Sequence, residues 1–468
     1  MKDASSDICK DTNIYFSQVQ ALLRERFPES PPLAHVHSFG CQQNVSDGEK
    51  IKGLLGELGY GFTEMPEQAD LILYNTCAVR ENAEKRVFGN LGELKHLKAQ
   101  NPELIIGLCG CMAQQEAVVA KIKKTYRQVD MVFGTFALSA IPELLYNVLS
   151  EHRRVYDISQ KDTGIFESEY IQRDSAFKAS VPIMYGCNNF CSYCIVPYVR
   201  GRERSREPEV ILEEVRRLAQ SGYKEIMLLG QNVNSYGRGL KEEISFAGLL
   251  RRLNTLEGDF KLRFMSSHPK DASFELIDTI FECDKVANHL HLPFQSGSNR
   301  ILKAMNRSYT IENYLKIIDY ARSKDPGFSF TSDVIVGFPD ETEEDFRQTL
   351  DVLRYVKYDN LFTFIYSKRS GTKAAEMPDA TPETEKSRRM GELLALQREI
   401  STEHYKRFLG RTLTVLAENE GKKEGWLTGH SDEFIIVEFQ ATKEKIGQYV
   451  QVRITTAHNW ALVGEIIE

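Results

Sequence analysis

Apolar and polar positions divide the chain into three regimes. From residue 34 to about 150, short apolar runs alternate with stretches of helical periodicity. Residues 34–39, 71–74, 104–108 and 131–133 predict strands, and 47–58, 82–97 and 114–124 predict helices. Ser46-Asp47-Gly48-Glu49 fits a capping box, which puts a helix start just after Cys41. This alternation predicts a parallel α/β sheet. From about 173 to 403, six apolar runs (181–185, 225–229, 262–265, 286–292, 329–336 and 361–366) are separated by helical patterns that include 209–219, 273–281, 311–322 and 343–355. Six repeated βα units predict a partial, open (βα)6 barrel, since a full barrel needs two more. A charged helical connector, 384–405, leads into a third regime of five short strands: 411–416, 425–427, 434–439, 449–456 and 461–466. That spacing predicts a small, closed or nearly closed β-barrel of the oligonucleotide-binding (OB) type. The expected boundaries are 34–150, 173–403 and 404–468.

Composition adds limits. The 468 residues are 42% apolar and 27% charged, as in an ordinary soluble globular protein, and are enough for two or three cores. A net charge of −7 argues against a globally basic nucleic-acid coat but leaves room for a local patch. The first 33 residues lack the apolar core of a signal peptide, and no run approaches the 18 apolar residues of a membrane span. The expectation is a cytoplasmic protein without a membrane partner. Nine cysteines in such a chain read as metal ligands before disulfides.

Cys187, Cys191 and Cys194 stand at C-x3-C-x2-C spacing after the apolar run 181–185. Three such thiolates suit one iron–sulfur cluster and leave one iron of a cubane without a protein ligand. No nearby histidine or fourth cysteine completes a zinc tetrahedron. Cys41, Cys77 and Cys111, 36 and 34 residues apart, each follow a different predicted strand, so a parallel sheet gathers them along its carboxyl edge. Cys109, two residues before Cys111 and on the same face of an extended chain, competes with it. Polar or glycine-rich turns at 230–234, 266–269, 295–298 and 337–342 follow central strands and make a plausible cofactor wall. Arg200, Arg202, Arg204 and Arg206 read as a solvated face, or alternatively as phosphate contacts.

The C-x3-C-x2-C loop, with Tyr193 before the third cysteine, resembles the radical S-adenosylmethionine (SAM) enzymes. Cys41 in Ser-Phe-Gly-Cys-Gln-Gln-Asn, Cys77 in Tyr-Asn-Thr-Cys-Ala-Val-Arg and Cys111 in Gly-Cys-Met-Ala-Gln resemble the auxiliary-cluster ligands of the methylthiotransferase family, and length and position make 404–468 similar to a TRAM domain. The resemblance implies two [4Fe-4S] clusters, one on Cys187, Cys191 and Cys194 and one on Cys41, Cys77 and Cys111, with no ligand role for Cys109. It implies that the turn Gly230, Gln231 and Asn232 grips the methionyl end of SAM, and that the backbone near Tyr193 and Val336 flanks its adenine. No side chain is expected to be catalytic, since cluster and SAM generate the radical.

The implied reaction installs a methylthio group on an adenosine of tRNA or on a protein. Gly230-Gln231-Asn232-Val233-Asn234, Tyr193-Cys194-Ile195-Val196-Pro197-Tyr198 and Ser267-His268-Pro269 favour the branch acting at C2 of N6-(dimethylallyl)adenosine, position 37 of tRNA. The alternatives are threonylcarbamoyl adenosine, a ribosomal-protein aspartate, or a non-catalytic iron–sulfur RNA-binding protein. The implied partners are a tRNA anticodon stem-loop and an electron donor of flavodoxin type, and the expected state is a monomer. Residues 404–468 hold eight Lys/Arg against nine Asp/Glu. RNA contact there is therefore expected from one face, bearing Lys406, Arg407, Lys422 and Lys423.

Overall fold

The computed structural model describes residues 4–78, 81–159, 165–168 and 170–467, without the side chains of 4–13 and 81–83. Two units emerge: 1–174 with 185–187 and 195–202, and 175–184 with 188–194 and 203–468.

The first unit opens with helix α1 (Ala4–Arg26) and is built on a six-stranded parallel sheet. Its strands are β1 (Leu33–Ser38), β2 (Gly61–Phe62), β3 (Leu71–Thr76), β4 (Ile105–Gly110), β5 (Met131–Phe133) and β6 (Val155–Asp157), in spatial order 2-1-3-4-5-6. Helices α2 (Gln42–Leu58), α3 (Glu81–Gln100), α4 (Glu116–Thr125) and α5 (Ile141–Glu151) cover it. β3, β4 and β5 are buried along their whole length because both faces are covered. Leu71, Leu73, Ile105, Cys109, Met131 and Phe133 pack with Ile51, Leu55 and Leu145 on one face. Ile72, Ile106, Leu108 and Val132 pack with Val87, Leu91 and Ile122 on the other. The unit also holds a short helix, α6 (Val196–Arg200), with Pro197 in its first turn.

The helix does start just after Cys41, but not by the expected capping box: α2 begins at Gln42, with Cys41 at its N-cap, five residues before the expected 47. Ser46 lies inside the helix, where its Oγ has no partner among the described residues. Asn44 ties the start instead: its Nδ2 donates back to Phe39 O at 3.0 Å. The earlier start places Asn44 and Asp47 in the first two turns behind Cys41.

In the second unit, β7 (Lys178–Pro182), β8 (Glu225–Leu229) and β9 (Lys261–Phe264) form one parallel triplet, in order 9-8-7. β10 (His289–His291), β11 (Ser329–Val336) and β12 (Asn360–Ile365) form a second. A parallel bridge between Leu262 and Val286 links the two, giving the six-stranded open barrel. Helices α7 (Pro208–Gln220), α8 (Phe246–Asn254), α9 (Phe274–Glu282), α10 (Asn299–Ala304), α11 (Ile311–Lys324) and α12 (Glu343–Val356) follow the strands in turn. Ser245, Ser273, Ser298, Thr310 and Thr342 cap five of them through their hydroxyls, which is why the strand-to-helix turns are short and fixed. A long helix, α13 (Glu383–His404), buries Leu393 and Ile400 in the same core.

The chain ends in a closed five-stranded barrel of β13 (Thr412–Glu420), β14 (Trp426–Ser431), β15 (Ile436–Gln440), β16 (Tyr449–Ala457) and β17 (Leu462–Ile466). Its own core includes Leu413, Val415, Val437, Phe439 and Val452. The β14–β15 turn meets the starting ends of the parallel strands. Arg263 pairs with Glu225 at 2.6 Å and donates to Ser431 O at 2.7 Å and Asp432 O at 3.0 Å. Ser329 Oγ donates to Glu433 O at 2.8 Å, and Lys178 bridges Glu225 and Glu418. Phe434 stacks on His289 and His430, with ring centroids 5.1 and 4.9 Å away. The terminal barrel therefore caps the strand-start end of the open barrel and leaves the carboxyl edge clear. No described helix is long and apolar enough to cross a membrane.

Candidate functional site

The first unit gathers Cys41, Cys77 and Cys111 beyond the carboxyl ends of β1, β3 and β4. Cys41 hydrogen-bonds with Cys77. Asn44 Oδ1 lies 4.0 Å from Cys41 Sγ and 3.6 Å from Cys111 Sγ. Among the described residues these groups are not arranged as ligands round one metal-sized point; shared partners group them. Gly40 permits the approach: its φ is +103°, and an added Cβ would come 2.2 Å from Cys77 Cβ.

A cation completes the cluster of side chains. Arg200, at the end of α6 and only 5% exposed, donates Nε–H to Cys111 Sγ at 3.0 Å. Its Nη2 reaches Asn44 Oδ1 at 2.8 Å and Asp47 Oδ2 at 2.7 Å. The hydrogen bond from Cys77 and burial push the Cys41 thiol up, and burial pushes Cys111 up to about 11 although Arg200 opposes it. Without a metal both thiols stay protonated near neutral pH, and a metal would displace those protons. Three thiols grouped at one sheet edge beside a guanidinium offer donors of the kind an anionic iron–sulfur cluster takes. Cys109 is fully buried in the sheet core, and burial raises its thiol strongly.

In the loop 187–194, Cys187 is buried and its N–H donates to Gly201 O at 3.1 Å. Cys191 and Cys194 are half-buried, and Cys194 N–H donates to Cys191 O at 2.9 Å. The end of α10 holds the latter part: Ser192 Oγ donates to Ala304 O at 2.9 Å, and Asn306 Nδ2 donates to Phe190 O at 2.8 Å. Arg307, buried, directs Nη1 to Cys191 Sγ at 3.7 Å and to Tyr193 Oη at 3.2 Å, and Nε to Tyr309 Oη at 2.7 Å. Sequence reasoning missed Arg307. It lies 116 residues from Cys191, outside every motif, and only the fold joins them.

The carboxyl edge of β8 and β9 leaves buried polar atoms unsatisfied. Asn232 Nδ2 donates to Asp271 at 2.7 Å, but its Oδ1 has no partner among the described residues. The same holds for both amide atoms of Asn234, Ser267 Oγ and Asn189 Nδ2. His268 Nδ1 accepts from Lys270 N–H at 3.2 Å, and burial, helped by Arg307 and Lys270, holds its pKa down to about 2. The neutral ring must then carry its proton on Nε2, another buried donor without an acceptor among the described residues. Buried polar atoms normally find partners, so this edge suits a polar ligand.

Among the residues expected at SAM, Gly230 packs so tightly that an added Cβ would lie 2.6 Å from Met184 Cγ. Gln231 is half-buried and Asn232 buried. Tyr193 packs edge-on to Phe338 at 6.5 Å. Val336 ends β11, its side chain in the core and its carbonyl accepting from Tyr366 N–H at 2.9 Å.

Two charge expectations are corrected. Arg200 and Arg206 form neither a solvated face nor a phosphate site, because both are buried and paired, Arg206 with Glu214 at 2.8 Å. Arg407, expected on an RNA-contacting face, is instead paired with the buried Asp359 at 2.6 Å.

Family models agree with this arrangement. The radical SAM superfamily matches residues 181–353, the uncharacterized protein family UPF0004 matches 34–134, and the TRAM domain matches 406–467. The chain is thus a radical SAM protein with an added cysteine-bearing α/β region and a TRAM barrel. A protein of Thermoanaerobacter pseudethanolicus named tRNA-2-methylthio-N(6)-dimethylallyladenosine synthase is 52% identical over 466 residues, covering 98% of this chain and 99% of that one. One of the same name from Acetivibrio thermocellus is 51% identical over 470 residues, covering 97% and 98%. The chain belongs to the tRNA-2-methylthio-N(6)-dimethylallyladenosine synthase family. Among solved structures, the radical SAM methyltransferase TsrM of Kitasatospora setae shares the fold, with a TM-score of 0.53 at 13% identity over 85% of this chain and 80% of that one.

Proposed function

We propose that this chain is the tRNA methylthiotransferase that places a methylthio group on C2 of N6-(dimethylallyl)adenosine at position 37. The observation that carries the reading is the grouping of Cys41, Cys77 and Cys111 with Arg200, a three-thiol set additional to the one in the C-x3-C-x2-C motif. A single radical SAM centre has no need of a second three-thiol set. In this reading 34–150 holds the auxiliary cluster, 173–403 is the radical SAM core, and 404–468 binds RNA.

Cys187, Cys191 and Cys194 hold one [4Fe-4S] cluster, and Cys41, Cys77 and Cys111 hold the other. When bound, the clusters and SAM supply the radical and the sulfur for a C–H bond that no ordinary general base would open. The chain's own residues bind and orient. The Gly230, Gln231 and Asn232 turn and the backbone at Tyr193 and Val336 take SAM. Asn234, Ser267, His268 and Asn189 offer unsatisfied polar atoms to SAM or to the adenosine edge. Arg307 fixes Cys191 and Tyr193 and stays charged beside a thiolate. The target adenosine leaves its stack in the single-stranded anticodon loop, where flipping is cheap. The terminal barrel, docked at the strand-start end, holds other parts of the tRNA. The protein works as a cytoplasmic monomer and receives electrons from a flavodoxin-type donor.

Mass analysis of tRNA nucleosides tests this reading. A strain lacking this gene should lose 2-methylthio-N6-dimethylallyladenosine and accumulate the unthiolated nucleoside, and an unchanged level would overturn the substrate. The reconstituted, reduced protein should form 5'-deoxyadenosine from SAM, which a cluster protein serving only to bind RNA would not.

A further inference from the structure

Arg200 is a chemical oddity that the reaction does not obviously require. A guanidinium is costly to bury without partners, and this one is 5% exposed. It reaches its place through unusually firm local structure. Ile195 and Val199 of the α6 segment pack on Cys111 and Ala78, and Gly201, at φ +75°, ends the helix directly behind it. Its planar fork then meets three different acceptors at once: Cys111 Sγ, Asn44 Oδ1 and Asp47 Oδ2. A lysine ammonium lacks that fixed fork.

From this we infer that Arg200 is a positioning residue that sets the electrostatics of the auxiliary cluster, through an N–H bond to the Cys111 sulfur and a buried positive charge balanced by Asp47. The inference rests on the assignment of Cys41, Cys77 and Cys111 as ligands. A [4Fe-4S]2+ core on three thiolates is a net anion, and a sulfide or hydrosulfide held at the open iron makes it more so. Hydrogen bonds to cluster sulfurs and local net charge are the protein's means of moving a cluster's potential. Arg200 supplies both, in a buried place where screening is weak. It therefore stabilises the reduced, more negative cluster and favours an anionic sulfur ligand there. Asp47 acts in the opposite sense, because its carboxylate offsets part of the Arg200 charge at 2.7 Å. Asn44 links the thiols to the guanidinium, touching Cys41, Cys111 and Arg200.

The test uses the full chain with Cys187, Cys191 and Cys194 all replaced by Ala, so that only the auxiliary cluster remains, and reads its midpoint potential by EPR-monitored redox titration. Arg200→Gln should shift the midpoint negative by at least a tenfold change in the reduction equilibrium, 59 mV for one electron. Arg200→Lys, which keeps the charge without the fork, should shift it less. Asp47→Asn should shift it the other way. This opposite sign is what a merely structural role would not produce, and it carries the test where Arg200→Gln fails to assemble. Unmoved midpoints in fully loaded variants, or an Asp47→Asn shift that is absent or negative, would overturn the inference alone. A triple-Ala parent that binds no [4Fe-4S] cluster, by iron and sulfide content, would overturn the ligand assignment and the inference with it.

Discussion

Cys109 and Cys111 differ by two positions and stand in chemically different places. Cys109 is a small apolar group inside the sheet, whereas Cys111 touches Asn44 and Arg200. Cys77→Ala should therefore lose half of the bound iron and all methylthio product. Cys109→Ala should keep the iron and cost about 1 kcal/mol of stability, the scale of one small buried group. Iron quantitation with nucleoside mass analysis separates the two. Glu341 makes a second prediction at this scale. It is buried, accepting from Gly337 N–H at 2.8 Å and from Arg389 at 3.1 Å, and burial still pushes its carboxyl up to about 7 from 4.5. Because the folded value lies above the unfolded one, its contribution to stability is complete below about pH 4.5 and disappears as pH rises through about 7. The apparent melting temperature should fall between pH 5 and 8. Glu341→Gln should flatten that slope, whose full height is about 3 kcal/mol at roughly 1.4 kcal/mol for each tenfold change in proton affinity.

At the scale of elements, what the sequence carries and what it lacks separate by physical range. Strands β3, β4 and β5, and β8 and β10 of the central barrel, are legible because burial on both faces leaves unbroken apolar runs, and the capped helices are legible because hydroxyl caps are local. The placing of three thiols on one edge follows from that pattern alone. The start of α2 does not. Ser46 and Glu49 satisfy a local rule, but the chain turns earlier, because Asn44 finds Phe39 O and Asn75 finds Asn44 O at 2.6 Å, a contact between β3 and α2. The arginine run misleads in part for the same reason: a string of cations reads as solvent-facing until Asp47 arrives from a segment 153 residues away and Glu214 from the helix that follows. Arg307 has no local signal at all. Gly40 tests the edge as an element. With φ +103° and Cys77 Cβ 2.2 Å from any added Cβ, Gly40→Ala should displace the Cys41 turn. Half of the iron should be lost while the far-ultraviolet circular dichroism stays near that of the parent. Full iron loading would show that the close approach of the two cysteines is dispensable.

At the scale of the whole molecule, an acidic protein has to hold an acidic polymer. A net charge of −7 and a near-neutral terminal barrel leave no overall excess of cations. Binding must then come from a few well-placed cations, and the fold reduces the candidates. Arg407 is bound to Asp359 and Lys406 to Glu403, at 2.6 Å each. Lys422 and Lys423 are exposed without an acidic partner among the described residues, and Lys423 lies 4.8 Å over the Trp426 ring. Each phosphate contact contributes about 0.7 to 0.9 to the slope of log affinity against log salt. The parent should therefore show a shallow slope with an anticodon stem-loop. The double substitution Lys422→Ala and Lys423→Ala should lower it by about 1.5, with a smaller loss of affinity at high salt than at low. Fluorescence anisotropy across a salt series measures both. The turn at Phe434, by which the barrel docks on the strand-start end, is untouched by these changes, so SAM cleavage without tRNA should hold at the parent rate. A slope that does not move would assign the phosphate contacts to another face of the chain.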